Sequence, residues 1–138
     1  MIRNRIKFIK TCYYIGAVAD LIATIPLVFP KAAQVMFGIN TLNVGNDYLY
    51  VSRIGASLMI GWTVLLIWGS LKPIERKGIL FLTIFPVVLC LFIASICAVT
   101  SGFITVKSMM PLWIFYAILI PLYGSAYYYV SMINKDSL

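Results

Sequence analysis

Apolar residues gather into four long runs, Thr11 to Phe29, Val51 to Leu71, Gly78 to Thr100 and Pro111 to Ile133, and polar residues gather between them. A hydrocarbon core of ~30 Å takes about 20 residues at ~1.5 Å of rise each, a length that all four runs reach. The pattern predicts an all-α, polytopic membrane protein. It is expected to be one membrane domain over residues 1–138, a four-transmembrane-helix bundle with helices at about 11–29, 51–71, 78–100 and 111–133.

The connections differ in kind. Lys72 to Lys77 reads as a tight turn with Pro73 as its breaker, which makes the second and third helices antiparallel neighbours. Pro30 to Tyr50 is longer. Residues 31–38 predict a short interfacial helix with Ala32, Val35 and Met36 on one face, and Asn40 to Asn46 a polar turn around Gly45. That segment either caps the bundle or is a plain connector on lipid. The only internal echo is Ile-Pro-Leu at 25–27 and 120–122, too short for an inverted-repeat transporter within one chain.

Composition excludes a water-soluble domain: at 62% hydrophobic, 11% charged and a mean hydropathy of +0.99, no polar shell can cover the chain. The first run is too long for the core of a signal peptide and is followed by Pro30 and Lys31, so it reads as a retained helix. The net charge of +7 matters through its placement. Arg3, Arg5, Lys7, Lys10, Lys72, Arg76, Lys77 and Lys135, eight of the eleven basic residues, fall on one side of the four-span topology. The positive-inside rule therefore predicts a multi-pass protein of the cell membrane with the N-terminus and C-terminus cytoplasmic. Tyr13, Tyr14, Trp68 and Tyr127 to Tyr129 on that side, with Tyr48, Tyr50 and Trp113 on the other, fit the aromatic belts of this orientation. Arg3, Arg5, Lys72, Arg76 and Lys77 are candidate contacts for lipid headgroups. With no soluble aromatic platform, nucleic acid is not an expected partner.

Other residue types narrow the chemistry. Histidine is absent, which removes histidine-ligated haem, most zinc and copper sites and any histidine base. Cys90 and Cys97 stand two helical turns apart, about 10 Å along the axis, beyond disulfide reach, and no Cys-x-x-Cys pair exists. The three cysteines read as small packing residues. No metal, cofactor or catalytic residue is expected.

Four residues are candidate ligand contacts: Asp20, Arg53, Tyr116 and Tyr123. An unpaired acid near mid-span costs ~2.5 to 3.5 kcal/mol on insertion scales, so Asp20 is expected to face the bundle interior. Arg53, near the end of the second helix, is the only basic candidate within a span, separated from Asp20 by roughly 7 to 11 Å of depth. Tyr116 and Tyr123 share a face of the fourth helix, and Tyr116 falls between the heights of the two charges. One reading makes these residues an outward-opening polar pocket. The competing reading is an internal ion pair or a hydrogen-bonded acid that fixes helix register. Gly16, Asp20, Ala23 and Thr24 form a small-residue face on the first helix, Arg53, Ser57 and Gly61 form one on the second, and the two are expected to meet. Pro26, Pro86 and Pro121 interrupt three spans and leave the carbonyls of Ile22, Leu82 and Ala117 without a helical donor.

The runs RIGASLMIGWTVLLIW (53–68) and KPIERKGIL (72–80) resemble a segment of uncharacterised small prokaryotic four-helix membrane proteins, and the outline is similar to DoxX-like proteins. The resemblance implies a four-helix membrane fold and transfers no activity.

The leading functional expectation is a small integral membrane protein that binds or transports a small solute or lipid through a polar pocket in the outer half of the bundle. The alternative is a non-catalytic accessory subunit of a larger membrane complex. A membrane-embedded lipid or isoprenoid enzyme ranks third, because Asp20 would be its single acid/base. Expected partners are membrane lipids and either a second copy of the chain or a larger membrane complex.

Overall fold

In the computed structural model of the chain, residues 2–38 and 45–135 are described. They form α1 (Ile2–Val28), α2 (Pro30–Phe37), α3 (Asn46–Leu71), α4 (Gly78–Leu82), a π-helical segment (Thr83–Val88), α5 (Leu89–Thr100) and α6 (Val106–Lys135), with no strand among the described residues. Arg3–Val28, Asn46–Leu71, Gly78–Thr100 and Val106–Ile133 are long and apolar enough to cross a membrane. Val18, Leu58, Val64, Ile114 and Ile118 on these helices are each more than half exposed, so the helices are apolar outside the core as well as within it.

The helices start earlier than hydropathy alone implies. No Gly or Pro interrupts residues 2–15, so the basic amino-terminal segment continues α1 instead of preceding it. Likewise α6 begins at Val106 and contains Pro111, which lies close enough to the helix start to remove a single backbone bond.

The short helix expected at 31–38 forms as Pro30–Phe37. Proline occupies the first helical position, where a missing N–H costs nothing, and Gly38 ends the helix at φ +68° with its N–H donating to the Gln34 carbonyl at 2.9 Å. Ala33 is the residue it buries, while Val35 and Met36 remain exposed on the apolar face read from the sequence. The turn expected over 40–46 lies outside the described residues except for Gly45 and Asn46.

The third span is broken. Phe85, the residue before Pro86, has non-helical φ −131°, ψ +108°. The break is braced from α3: the Trp62 indole donates to the Thr83 hydroxyl at 3.2 Å, and that hydroxyl donates to the Ile79 carbonyl at 2.8 Å. On α5, Ser95 accepts a bond from the Trp113 indole of α6 at 2.8 Å.

The core is built chiefly by α1 and α6, with Ile79 and Leu80 of α4 and Val88 of the π-helical segment completing it. α6 turns Tyr116, Leu119, Tyr123, Ala126 and Val130 inward at spacings of three and four, the seam expected of packed helices. α1 supplies Ile9, Cys12, Tyr13 and Ala17, and α3 supplies Leu66. Tyr13, expected as an interfacial aromatic, is fully buried and donates to the Arg76 carbonyl at 2.9 Å. Gly69 makes room for its ring, since a β-carbon there would stand 2.6 Å from Tyr13 Cε1.

Candidate functional site

A helix of 3.6 residues per turn places Ile9, Cys12, Tyr13, Gly16, Ala17, Asp20 and Thr24 within one sector of α1, and six of these seven are buried. Asp20 is the exception in chemistry. Its residue is half-buried, yet its Oδ2 atom is fully enclosed and has no hydrogen-bond partner among the described residues.

Tyr123 of α6 shares that condition. The side chain is 0% exposed and its hydroxyl is unpartnered. The hydroxyl lies against Gly16, one helical turn from Asp20 on the same face of α1, and both Tyr116 and Tyr123 are within electrostatic range of the carboxylate. Three of the four expected ligand contacts are thus brought together.

The remaining buried polar side chains make the contrast sharp. Thr24 donates to the Asp20 carbonyl, Ser52 to Leu27, Thr63 to Met59, Ser70 to Ile67, Thr83 to Ile79 and Ser95 to Phe92, at 2.6–2.9 Å. A buried hydroxyl or carboxylate left without a partner carries its full desolvation cost, so the two exceptions require a reason that the others do not.

Arg53 is not part of this cluster. The Ser52 hydroxyl donates to the Leu27 carbonyl at 2.6 Å, which sets α3 against α1 and leaves Arg53 level with Leu27. Leu27 is seven residues beyond Asp20, about 10 Å along the axis. Arg53 is also exposed, on the flank of α3 turned away from α1. No ion pair joins it to Asp20, and the structural-pair reading is corrected accordingly; Lys72 with Glu75, at 3.1 Å, is the ion pair formed among the described residues.

The face of α3 needs the same correction. Ser57 and Gly61 are exposed with Arg53, and the buried side carries Ser52, Ala56, Thr63, Leu66, Gly69 and Ser70. α3 has small residues on both flanks, so a small-residue rule alone selects either one. Ser57 is bonded within its own helix, to the Ile54 carbonyl at 2.8 Å, whereas Ser52 on the packed flank reaches the Leu27 carbonyl of α1.

The expected headgroup residues are largely engaged by the protein itself. The Arg76 guanidinium stacks 3.4 Å from the Trp68 ring centroid and donates to the Trp68 carbonyl; Lys77 lies 5.9 Å from the Tyr127 ring and Arg5 lies 5.5 Å from that of Tyr129. Lys72 holds Glu75. Arg3 is exposed. These contacts bring the start of α1, the 72–77 turn and the end of α6 to one basic end of the bundle.

Among the described residues no group of three or more His, Cys, Asp or Glu stands close enough to hold a metal. The sequence matches no protein family, curated protein or solved structure.

Proposed function

We propose that the protein is a multi-pass protein of the cell membrane, with both termini cytoplasmic, which binds or transports a small solute or lipid at a polar centre formed by Asp20, Tyr116 and Tyr123. The observation that carries this reading is the paired exception among the buried polar groups: Asp20 Oδ2 and the Tyr123 hydroxyl are enclosed and unpartnered while six buried hydroxyls are all bonded.

The chemistry of the centre favours a ligand that brings its own donor. A carboxylate with two phenols in its electrostatic range and Arg53 about 10 Å away along the bundle axis suits an ammonium-bearing solute or headgroup, or a proton, better than an anion. The orientation rests on the basic end, where Arg5, Arg76 and Lys77 gather with their aromatic partners.

Native mass spectrometry of protein released gently from its own membrane tests the reading. A monomer or homo-oligomer that retains a discrete small molecule or lipid is the expected result. Stoichiometric foreign subunits with no retained ligand would reject it in favour of an accessory chain.

A further inference from the structure

A second feature of α1, on the side opposite Asp20, is unrelated to the polar centre. Thr11, Ile15, Val18, Ala19 and Ile22 line an open apolar groove of about 460 Å³, and Phe115 of α6 forms its far wall. Its only hydroxyl on the floor is already engaged, because Thr11 Oγ1 donates to the Lys7 carbonyl at 3.0 Å. Tyr14, half exposed, stands at the rim.

We propose that this groove holds one acyl chain of an anionic phospholipid, with the headgroup phosphate on Lys7 and the neighbouring cations Arg3 and Lys10.

Length supports a single chain from one leaflet. Thr11 to Ile22 spans about 16 Å at ~1.5 Å per residue, close to half of a hydrocarbon core of ~30 Å. The groove therefore starts at the depth where a headgroup ends and stops near the bilayer midplane.

Charge supports an anionic headgroup. Lys7 lies one turn before Thr11, and Lys7, Thr11, Tyr14 and Val18 fall within about 60° around the helix axis, so the ammonium stands over the mouth of the groove. Arg3 and Lys10 flank it on the same side. Residues 1–19 contain no Asp or Glu, and none of these three cations forms an ion pair among the described residues. Arg5, by contrast, is directed to Tyr129. At this basic end Arg5, Lys72, Arg76 and Lys77 are engaged by protein groups, while Arg3, Lys7 and Lys10 beside the groove form no ion pair among the described residues.

The test uses the full chain reconstituted in nanodiscs of equal phosphatidylcholine and phosphatidylglycerol, followed by native mass spectrometry. The wild type is expected to retain one phosphatidylglycerol per chain. The double variant Lys7→Gln, Lys10→Gln should lose the preference over phosphatidylcholine, about fivefold for each cation removed. Ala19→Trp should abolish retention of either lipid by filling the groove. If that variant does not fold by circular dichroism, Val18→Trp takes its place, since Val18 is 56% exposed and its new ring needs no room in the core. Equal retention of the two lipids by the wild type, undiminished phosphatidylglycerol in the groove-filled variant, or a lipid-free dimer of the chain would each overturn the proposal.

Discussion

The hydroxyl oxygen of Tyr123 lies 1.7 Å from the point where a β-carbon on Gly16 would stand, so the phenol of α6 closes against α1 only because residue 16 has no side chain. That fit delivers the Tyr123 hydroxyl to within one helical turn of Asp20. It is a packing relationship with a chemical result.

Gly16→Ala is expected to destabilise the protein by about 1–3 kcal/mol, the usual range for forcing an extra carbon into a filled site. Tyr123→Phe in the same chain should restore only part of the loss, since the next ring atom, Cζ, is still 2.9 Å from the new carbon. Thermal melts of the two single variants and the double variant in detergent measure the coupling between the sites.

Arg53→Gln should be energetically silent toward Asp20. The coupling in an Asp20→Asn, Arg53→Gln cycle is expected to stay below about 0.5 kcal/mol, as for residues that share no partner. A coupling of several kcal/mol in the same denaturation experiment would show that the two charges meet after all.

Ser52→Ala removes the bond to the Leu27 carbonyl that registers α3 against α1. The expected loss is about 0.6–1 kcal/mol, in line with interhelical hydrogen bonds inside membranes. Refolding equilibria in mixed micelles would measure it, with Ser57→Ala, at an exposed position, as the silent control.

Arg76→Lys should weaken the turn between α3 and α4 although charge is kept. A lysine cannot stack a planar guanidinium on Trp68 while also reaching its carbonyl, and the cation–aromatic contact is worth about 0.5–1 kcal/mol at an exposed site. Tryptophan fluorescence reports the change if the variant is compared with Arg76→Ala.

Much of this architecture is legible in the sequence because it depends on length and on local breakers. Four apolar runs, the 72–77 turn and the short helix near 31–38 follow from span length, Pro73 and the apolar face of Ala32, Val35 and Met36, while its exact ends at Pro30 and Gly38 are set by the proline and by a glycine at positive φ. The face of α3 was not legible. Ser57 and Gly61 satisfy the small-residue rule as well as Ser52 and Ala56 do, and what separates them is a long-range bond from Ser52 to a carbonyl on another helix. The break at Phe85 is only half legible: Pro86 marks a kink, but a proline in a membrane span does not by itself say that the residue before it leaves the helical region. Helical periodicity puts Tyr116 and Tyr123 on one face of α6 and counting depth sets Tyr116 near the height of Asp20, but that this face meets α1 at Gly16 is a matter of packing. Arg53 could not be placed, since its depth depended on where α3 begins and its direction on which flank packs.

The most direct test of the role of Asp20 compares ligand retention and thermal stability of wild type and Asp20→Asn side by side in the same detergent. The variant is expected to lose the retained molecule while its melting temperature without ligand stays equal or rises, because a buried unpaired carboxylate has been replaced by a neutral amide. An Asp20→Asn protein that still carries the same ligand at the same occupancy would contradict that role.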